Sequence, residues 1–437
     1  MSTVSLPSYI APSLNQIPSY SAEPHSYEQR LALGDRLRAR PSGNFIKQSK
    51  GGGIRLRLSA QENNVALPIY GSTDVVEGTV ELSRPEAVTS VEVQIEGRLR
   101  LKEIAEGGTA VAELCLDTAL LWTKDTANTL CPTSLHFSLG LPSTFTYEEK
   151  TYPLPPTFDV KLSGLPGFVA TIDYSVTTIV GKSNGVPMPK MKSRSLGIHV
   201  GSTVVSTPFV YYPRSRPSSP IPPPLQHGPD GFIATPDWKV FESVLHSKSS
   251  TRPNIVTKLY VPASRVFCMS KPIPFHLSLE SSAVSLAAFL PMGPTANNGV
   301  SARKITRVQL MRQTTVDVRN TIMAGVKTDM WRVDCIGEGT FKHAGDGPSF
   351  MTYTGEIVVN DIKVPAFRAA GLSVKDCLLF TVTPLDPGKT PFGEVREVIP
   401  VRLSTESWTP NGAGIGRPDS ALWESPTPPT AKEASNF

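Results

Sequence analysis

The chain has 437 residues, a formal net charge of only +5, 39% hydrophobic residues and 41 prolines. That length accommodates two or three domains with real cores. The weak charge, with no dense stretch of Lys and Arg, argues against nucleic acid as the main partner. Residues 1–50 are rich in Pro, Ser and Tyr and lack sustained periodicity, so a disordered arm is expected, with one short helix over residues 26–38. Gly51-Gly52-Gly53 then breaks the chain before the first strand signal.

From there the pattern has period two. Ile54, Leu56 and Leu58 alternate with Arg55 and Arg57, and Val91 to Leu101 repeats the alternation with charges on one face. A strand with one dry and one wet face belongs to an antiparallel sheet packed on another sheet. Further strands are predicted over 111–121, 134–139, 169–180 and 195–205. A polyproline-like stretch around Tyr211 to Pro224 interrupts the series. Strand signals resume over 254–261, 273–279, 302–315, 331–338, 349–359, 377–383 and 396–403, and Pro, Gly, Ser and Thr dominate after Trp408. The expected organisation is all-β, with two sandwich domains in tandem at 51–207 and 233–407. A Pro-rich linker at 208–232 joins them, and a disordered tail follows at 408–437.

Cys115, Cys131, Cys268, Cys335 and Cys377 are odd in number and form no C-x-x-C pair, which predicts reduced thiols used as small core residues. No N-x-[ST] sequon and no basic-then-apolar leader is present, and the longest apolar run, 283–290, is too short to cross a bilayer. A cytoplasmic protein is expected.

Several segments in this order carry a resemblance. Leu67-Pro68-Ile69-Tyr70 precedes Val75-Val76-Glu77-Gly78-Thr79-Val80-Glu81-Leu82, and the strand Val91 to Leu101 follows. Next come Phe137-Ser138-Leu139-Gly140-Leu141-Pro142, Leu154-Pro155-Pro156-Thr157-Phe158 and Thr171-Ile172-Asp173-Tyr174-Ser175-Val176. This series resembles the arrestin fold, in particular the α-arrestin-like proteins of fungi, with Leu139 and Thr157 where that pattern has Phe and Ser. In the second half, Lys258-Leu259-Tyr260-Val261-Pro262 and Pro272-Ile273-Pro274-Phe275-His276-Leu277 are similar to the opening of an arrestin C-domain, while Val364 to Phe367 and Leu378 to Thr383 match its closing strands loosely. The resemblance implies immunoglobulin-like sandwiches and a non-enzymatic adaptor. Such an adaptor binds membrane-protein tails or signalling partners and serves endocytosis and trafficking, with recruitment to the plasma membrane or endosomes.

Three sets of candidate docking residues follow. The arm holds Leu6-Pro7-Ser8-Tyr9 and Ile17-Pro18-Ser19-Tyr20, looser relatives of the P-P-x-Y motif through which α-arrestins recruit WW-domain ubiquitin ligases. Two copies add avidity. The linker holds Arg214, Pro217, Ser219 and Pro220 in an R-x-x-P-x-x-P arrangement suited to an SH3-type groove, and Ser219-Pro220 suits a proline-directed kinase. Exposed cations at Arg55, Arg57, Arg98, Arg100, Lys190, Lys192 and Arg194 are candidates for facing an acidic or phosphorylated cargo tail; solvated strand faces are the ordinary reading of such charges.

No nucleophile-elbow, phosphate-loop, dinucleotide-binding or H-E-x-x-H motif is present, and the seven histidines are scattered. Neither catalysis nor a cofactor, metal or small-molecule substrate is expected. Two other readings stay open: a structural coat or sorting subunit resembling the arrestin-shaped retromer component, and a ligand-binding β-sandwich.

Overall fold

The computed structural model describes residues 41–72, 74–104, 108–126, 129–182, 202–295, 304–319, 327–360, 362–410 and 414–415. Both Pro-Ser-Tyr motifs, the 26–38 segment, and Lys190, Lys192 and Arg194 lie outside the described residues.

The molecule is nearly all β. The chain opens with β1 (Gly43–Gln48), β2 (Ile54–Gln61), β3 (Ile69–Tyr70), β4 (Val75–Leu82), β5 (Val88–Glu103) and β6 (Thr109–Thr123). It continues through β7 (Ser134–Gly140), the hairpin β8 (Thr144–Tyr147) and β9 (Lys150–Pro153), β10 (Phe158–Leu162), β11 (Phe168–Lys182) and β12 (Ser202–Tyr211). Two sheets result, ordered β1-β2-β4-β7 and β3-β12-β11-β5-β6, with β10 added on β11. Their inner faces close over one core. Leu56, Leu58, Val76 and Val80 come from the first sheet; Val91, Val93, Ile95, Phe168, Ile172 and Val176 come from the second. Each fully buried side chain of this size contributes about 1.5–3 kcal/mol, so the alternation in β2, β4, β5 and β11 is what holds the body together.

Two glycines in the recognisable motifs have a packing reason. Gly97 faces Tyr174 across the β5–β11 register, and a Cβ there would lie 2.5 Å from the Tyr174 ring. Tyr174 cannot swing away, because it is buried and its hydroxyl donates to Pro155 O at 2.6 Å. Gly78 and Phe137 form the same cross-strand pair between β4 and β7. An aromatic ring over a strand glycine restores the packing that the missing side chain forfeits.

The second half begins with the ribbon β13 (His227–Gly228) and β14 (Gly231–Phe232), followed by β15 (Trp238–Leu245), β16 (Ile255–Pro262), β17 (Val266–Cys268) and β18 (Ile273–Glu280). One short helix, α1 (Ala283–Phe289), is capped by the Ser282 side chain, which accepts from the backbone of Ser285. Then come β19 (Thr306–Arg319), β20 (Lys327–Asp346), β21 (Phe350–Val359), β22 (Phe367–Ala369), β23 (Leu372–Val382) and β24 (Val395–Ser404). These strands form one ten-stranded sheet, β15-β16-β18-β21-β20-β19-β23-β24-β17, with β22 on β23. The sheet curls until its far strands meet. Ser243 on β15 donates to Glu397 on β24 at 3.1 Å, and a bridge joins Ser247 to Phe392. The result is sandwich-like, with Phe267, Phe275, Phe289, Phe380 and Phe392 inside.

The two bodies are not beads on a string. Val316, Met330, Ala369, Ala370 and Leu372 belong to the second body and complete the core of the first. Phe158 and Phe367 meet edge to face at 5.1 Å, and Arg332 donates to Lys161 O at 2.8 Å. Three expected boundaries shift accordingly. Residues 43–48 of the expected arm are an edge strand, and residues 208–211 of the expected linker finish β12. Thr405, Glu406, Thr409 and Ile415, on either side of the expected start of the tail, are bound to the linker.

Candidate functional site

Arg55 and Arg57 leave the wet face of β2 and converge on one carboxylate. Glu81 of β4 takes Arg55 at 3.1 Å and Arg57 at 2.8 Å. On β5, Arg98 pairs with Glu96, and Arg100 lies 2.8 Å from Asp173 of β11. The two sets stand on the outer faces of opposite sheets of one sandwich, so the structure does not gather the four arginines into one basic patch. All are half-exposed ion pairs, worth about 0–1 kcal/mol each, which an incoming carboxylate or phosphate can displace. The Arg55, Arg57 and Glu81 group keeps one positive charge in excess.

The linker departs most from its sequence reading. The sequence predicts a Pro-rich linker; the structure ties that segment to the molecule at 215–218 and again at 223–225. Ser215 exchanges hydrogen bonds with Thr405, and its carbonyl accepts from Glu406 N at 2.9 Å. The Arg216 guanidinium reaches Glu406 at 2.8 Å and Thr409 at 3.0 Å, and its backbone carbonyl accepts from Ile415 N at 2.8 Å. Pro217 is buried in a parallel bridge with Ile415, while Arg214 stays half exposed, 3.9 Å from Glu406. The R-x-x-P-x-x-P arrangement is therefore covered at Pro217. Ser219 is half buried and Pro220 is exposed.

Downstream, the chain is pinned by an aromatic cluster. Leu225 is buried with Trp238 and Tyr260. Trp238 Nε1 donates to Pro223 O at 3.0 Å, and Leu225 N donates to His276 Nε2 at 3.2 Å. The His276 ring lies between Trp238, at 4.5 Å, and Phe232, at 4.8 Å. Burial, aided by neighbouring His227, pushes its pKa down to about 4, so the ring is neutral. Accepting at Nε2 requires the proton on Nδ1, which is buried without a hydrogen-bond partner.

One polar pair escaped sequence reasoning. Arg312 on β19 and Asp376 on β23 are register partners, joined by two bonds at 2.8 and 2.9 Å, and Arg312 also donates to Val364 O at 2.9 Å. The signal was present: Asp376 occupies an inward slot of an otherwise strictly alternating strand. All five cysteines are free thiols, with Cys115, Cys131 and Cys268 buried, while Cys335 is exposed rather than in the core. Burial pushes the Cys115 thiol up to about 12, which makes it inert. Among the described residues no group of His, Cys, Asp or Glu is placed to hold a metal ion, and no helix is long and apolar enough to cross a membrane.

These features define a two-body β protein whose candidate sites are surfaces and extended segments. Comparison with protein-family models and with curated proteins gave no match, so the arrestin resemblance rests on the chain's own motifs.

Proposed function

We propose that this chain is a non-enzymatic, arrestin-like adaptor. It holds the cytoplasmic tails of membrane proteins or signalling partners and links them to a WW-domain ubiquitin ligase through the motifs at Tyr9 and Tyr20. The observation that most supports this reading is the core common to the two β bodies, which makes their outer strand faces and loops one rigid platform. On the β2–β4 face, Glu81 acts as the internal counter-ion that an acidic or phosphorylated tail replaces on Arg55 and Arg57, which together carry one positive charge in excess. The protein works in the cytoplasm and at the plasma membrane or endosomes, wherever its cargo resides.

The ligase link is tested with the full chain and isolated WW domains. The wild type binds, and Tyr9→Ala/Tyr20→Ala loses about tenfold in affinity, equal to 1.4 kcal/mol. Equal binding by the double variant removes the motifs from the mechanism.

A further inference from the structure

The linker between its two anchors has a burial pattern with period three. Ser219 and Pro222 are half buried and Leu225 is buried, whereas Pro220, Ile221, Pro223 and Pro224 are exposed. Three residues per turn is the repeat of the polyproline helix, and a run of prolines with φ fixed near −65° adopts it readily. In that geometry one edge (Ser219, Pro222, Leu225) lies against the body. The other two edges, Pro220 with Pro223 and Ile221 with Pro224, face outward. Two adjoining hollows, of about 380 and 260 Å³, separate the strip from Asp237 and its neighbours, so Pro220, Ile221, Pro223 and Pro224 border open space and not packed side chains.

Both ends of this strip are fixed. Upstream, Ser218 N donates to Ile415 O at 3.2 Å and Arg216 is held by Glu406. Downstream, Trp238 holds Pro223 O and His276 holds Leu225 N. Prolines supply no N–H for strand pairing, so the strip cannot extend a sheet. It offers ring faces in pairs about 9 Å apart, the spacing of one polyproline turn. A groove of parallel aromatic side chains reads that pattern.

We propose that Pro220-Ile221-Pro222-Pro223-Pro224 is a preformed docking ridge for a proline-reading domain with an aromatic groove, contacted through Pro220, Ile221, Pro223 and Pro224. The register differs from the one the sequence suggested, because Ile415 covers Pro217. Ordering a free peptide of this kind costs entropy on binding; here the fold has already met that cost. The proposal stands apart from the cargo and ligase reading.

The test titrates the full chain against a panel of isolated SH3, WW and EVH1-type domains, with the wild type beside Pro220→Ala/Pro223→Ala, Ile221→Asp and Tyr9→Ala/Tyr20→Ala. At least one domain binds the wild type, and both ridge variants weaken it about tenfold or more while the thermal midpoint stays at the wild-type value. Ile221→Asp keeps every proline, so it reports on the exposed edge even where the alanine variant loosens the linker. Failure of every domain to bind overturns the proposal. So does binding that only the tyrosine variant reduces, or binding to an isolated 217–227 peptide with none to the full chain.

Discussion

At the scale of single residues, His276 shows how a side chain of ordinary type becomes a structural hinge pin. Its ring fills the space between Trp238 and Phe232, and its Nε2 is the acceptor that holds Leu225 N. A protonated ring would donate from both nitrogens, so this bond exists only with the neutral form. With the folded value pushed down to about 4, the folded state binds fewer protons than the unfolded chain below the ordinary value of about 6.5. The resulting stability is fully present above that ordinary value and is lost as pH falls towards about 4. Urea melts at pH 7.5 and 4.5 test this in wild type and His276→Gln, whose amide oxygen can still accept from Leu225 N. The wild type is expected to lose about 2–3 kcal/mol more than the variant across that range. Equal losses would place the acid sensitivity elsewhere. Nothing in the sequence announced this role: a histidine inside Pro274-Phe275-His276-Leu277 reads as an ordinary strand residue until its cross-sheet neighbours are known. Gly97 and Gly78 were legible as motif positions, but the rings that require them come from other strands.

Elements were legible in proportion to how cleanly one face is wet. The alternation in Val91 to Leu101 is continuous, and β5 carries it on to Glu103. β23 alternates just as strictly, yet only its second half was expected, because Lys375 and Asp376 interrupt the apolar run in sequence. Lys375 sits on the outer face, and Asp376 points inward. The hairpin of β8 and β9 was missed because Glu148 and Glu149 adopt positive φ at its turn, where Gly or Asn is the usual signal. β10 and β15 were missed because they are short or wet on both faces. The Arg312–Asp376 pair is what β19 and β23 accept in place of apolar packing, and its geometry makes a sharp prediction. Asp376→Ala strands a buried guanidinium with Val364 O as a remaining partner and is expected to cost about 3–5 kcal/mol. Arg312→Met/Asp376→Leu removes both charges and is expected to lie within about 1 kcal/mol of wild type or above it. Chemical denaturation of the three proteins decides the matter. A double variant as unstable as the single would mean that the pair itself, and not the orphaned charge, carries the energy.

Across the whole molecule, two β blocks were legible from the two series of strand signals, but their union was not. Leu372, Val316 and Met330 look like any inward strand residues, and nothing in a single sequence says which body's core they enter. For the same reason the linker reads as a spacer, although partners 190 positions away hold it at Ser215 and Arg216. A shared core has a thermodynamic consequence. Losing either body exposes the apolar surface of the other, so the two should melt as one unit even though each has its own sheets. Calorimetry of the wild type should therefore give a single transition, with calorimetric and van't Hoff enthalpies equal. Leu372→Ala opens a cavity in the shared region at a cost of about 2–5 kcal/mol. Phe367→Ala removes the edge-to-face contact with Phe158, worth about 0.5–1.5 kcal/mol beyond its area. Together they should split the melt into two transitions and lower hydrogen-exchange protection in β5 and β11, although neither substitution lies in the first body. Two transitions already present in the wild type, or unchanged protection of β5 and β11 in the double variant, would mean that the bodies touch without sharing stability.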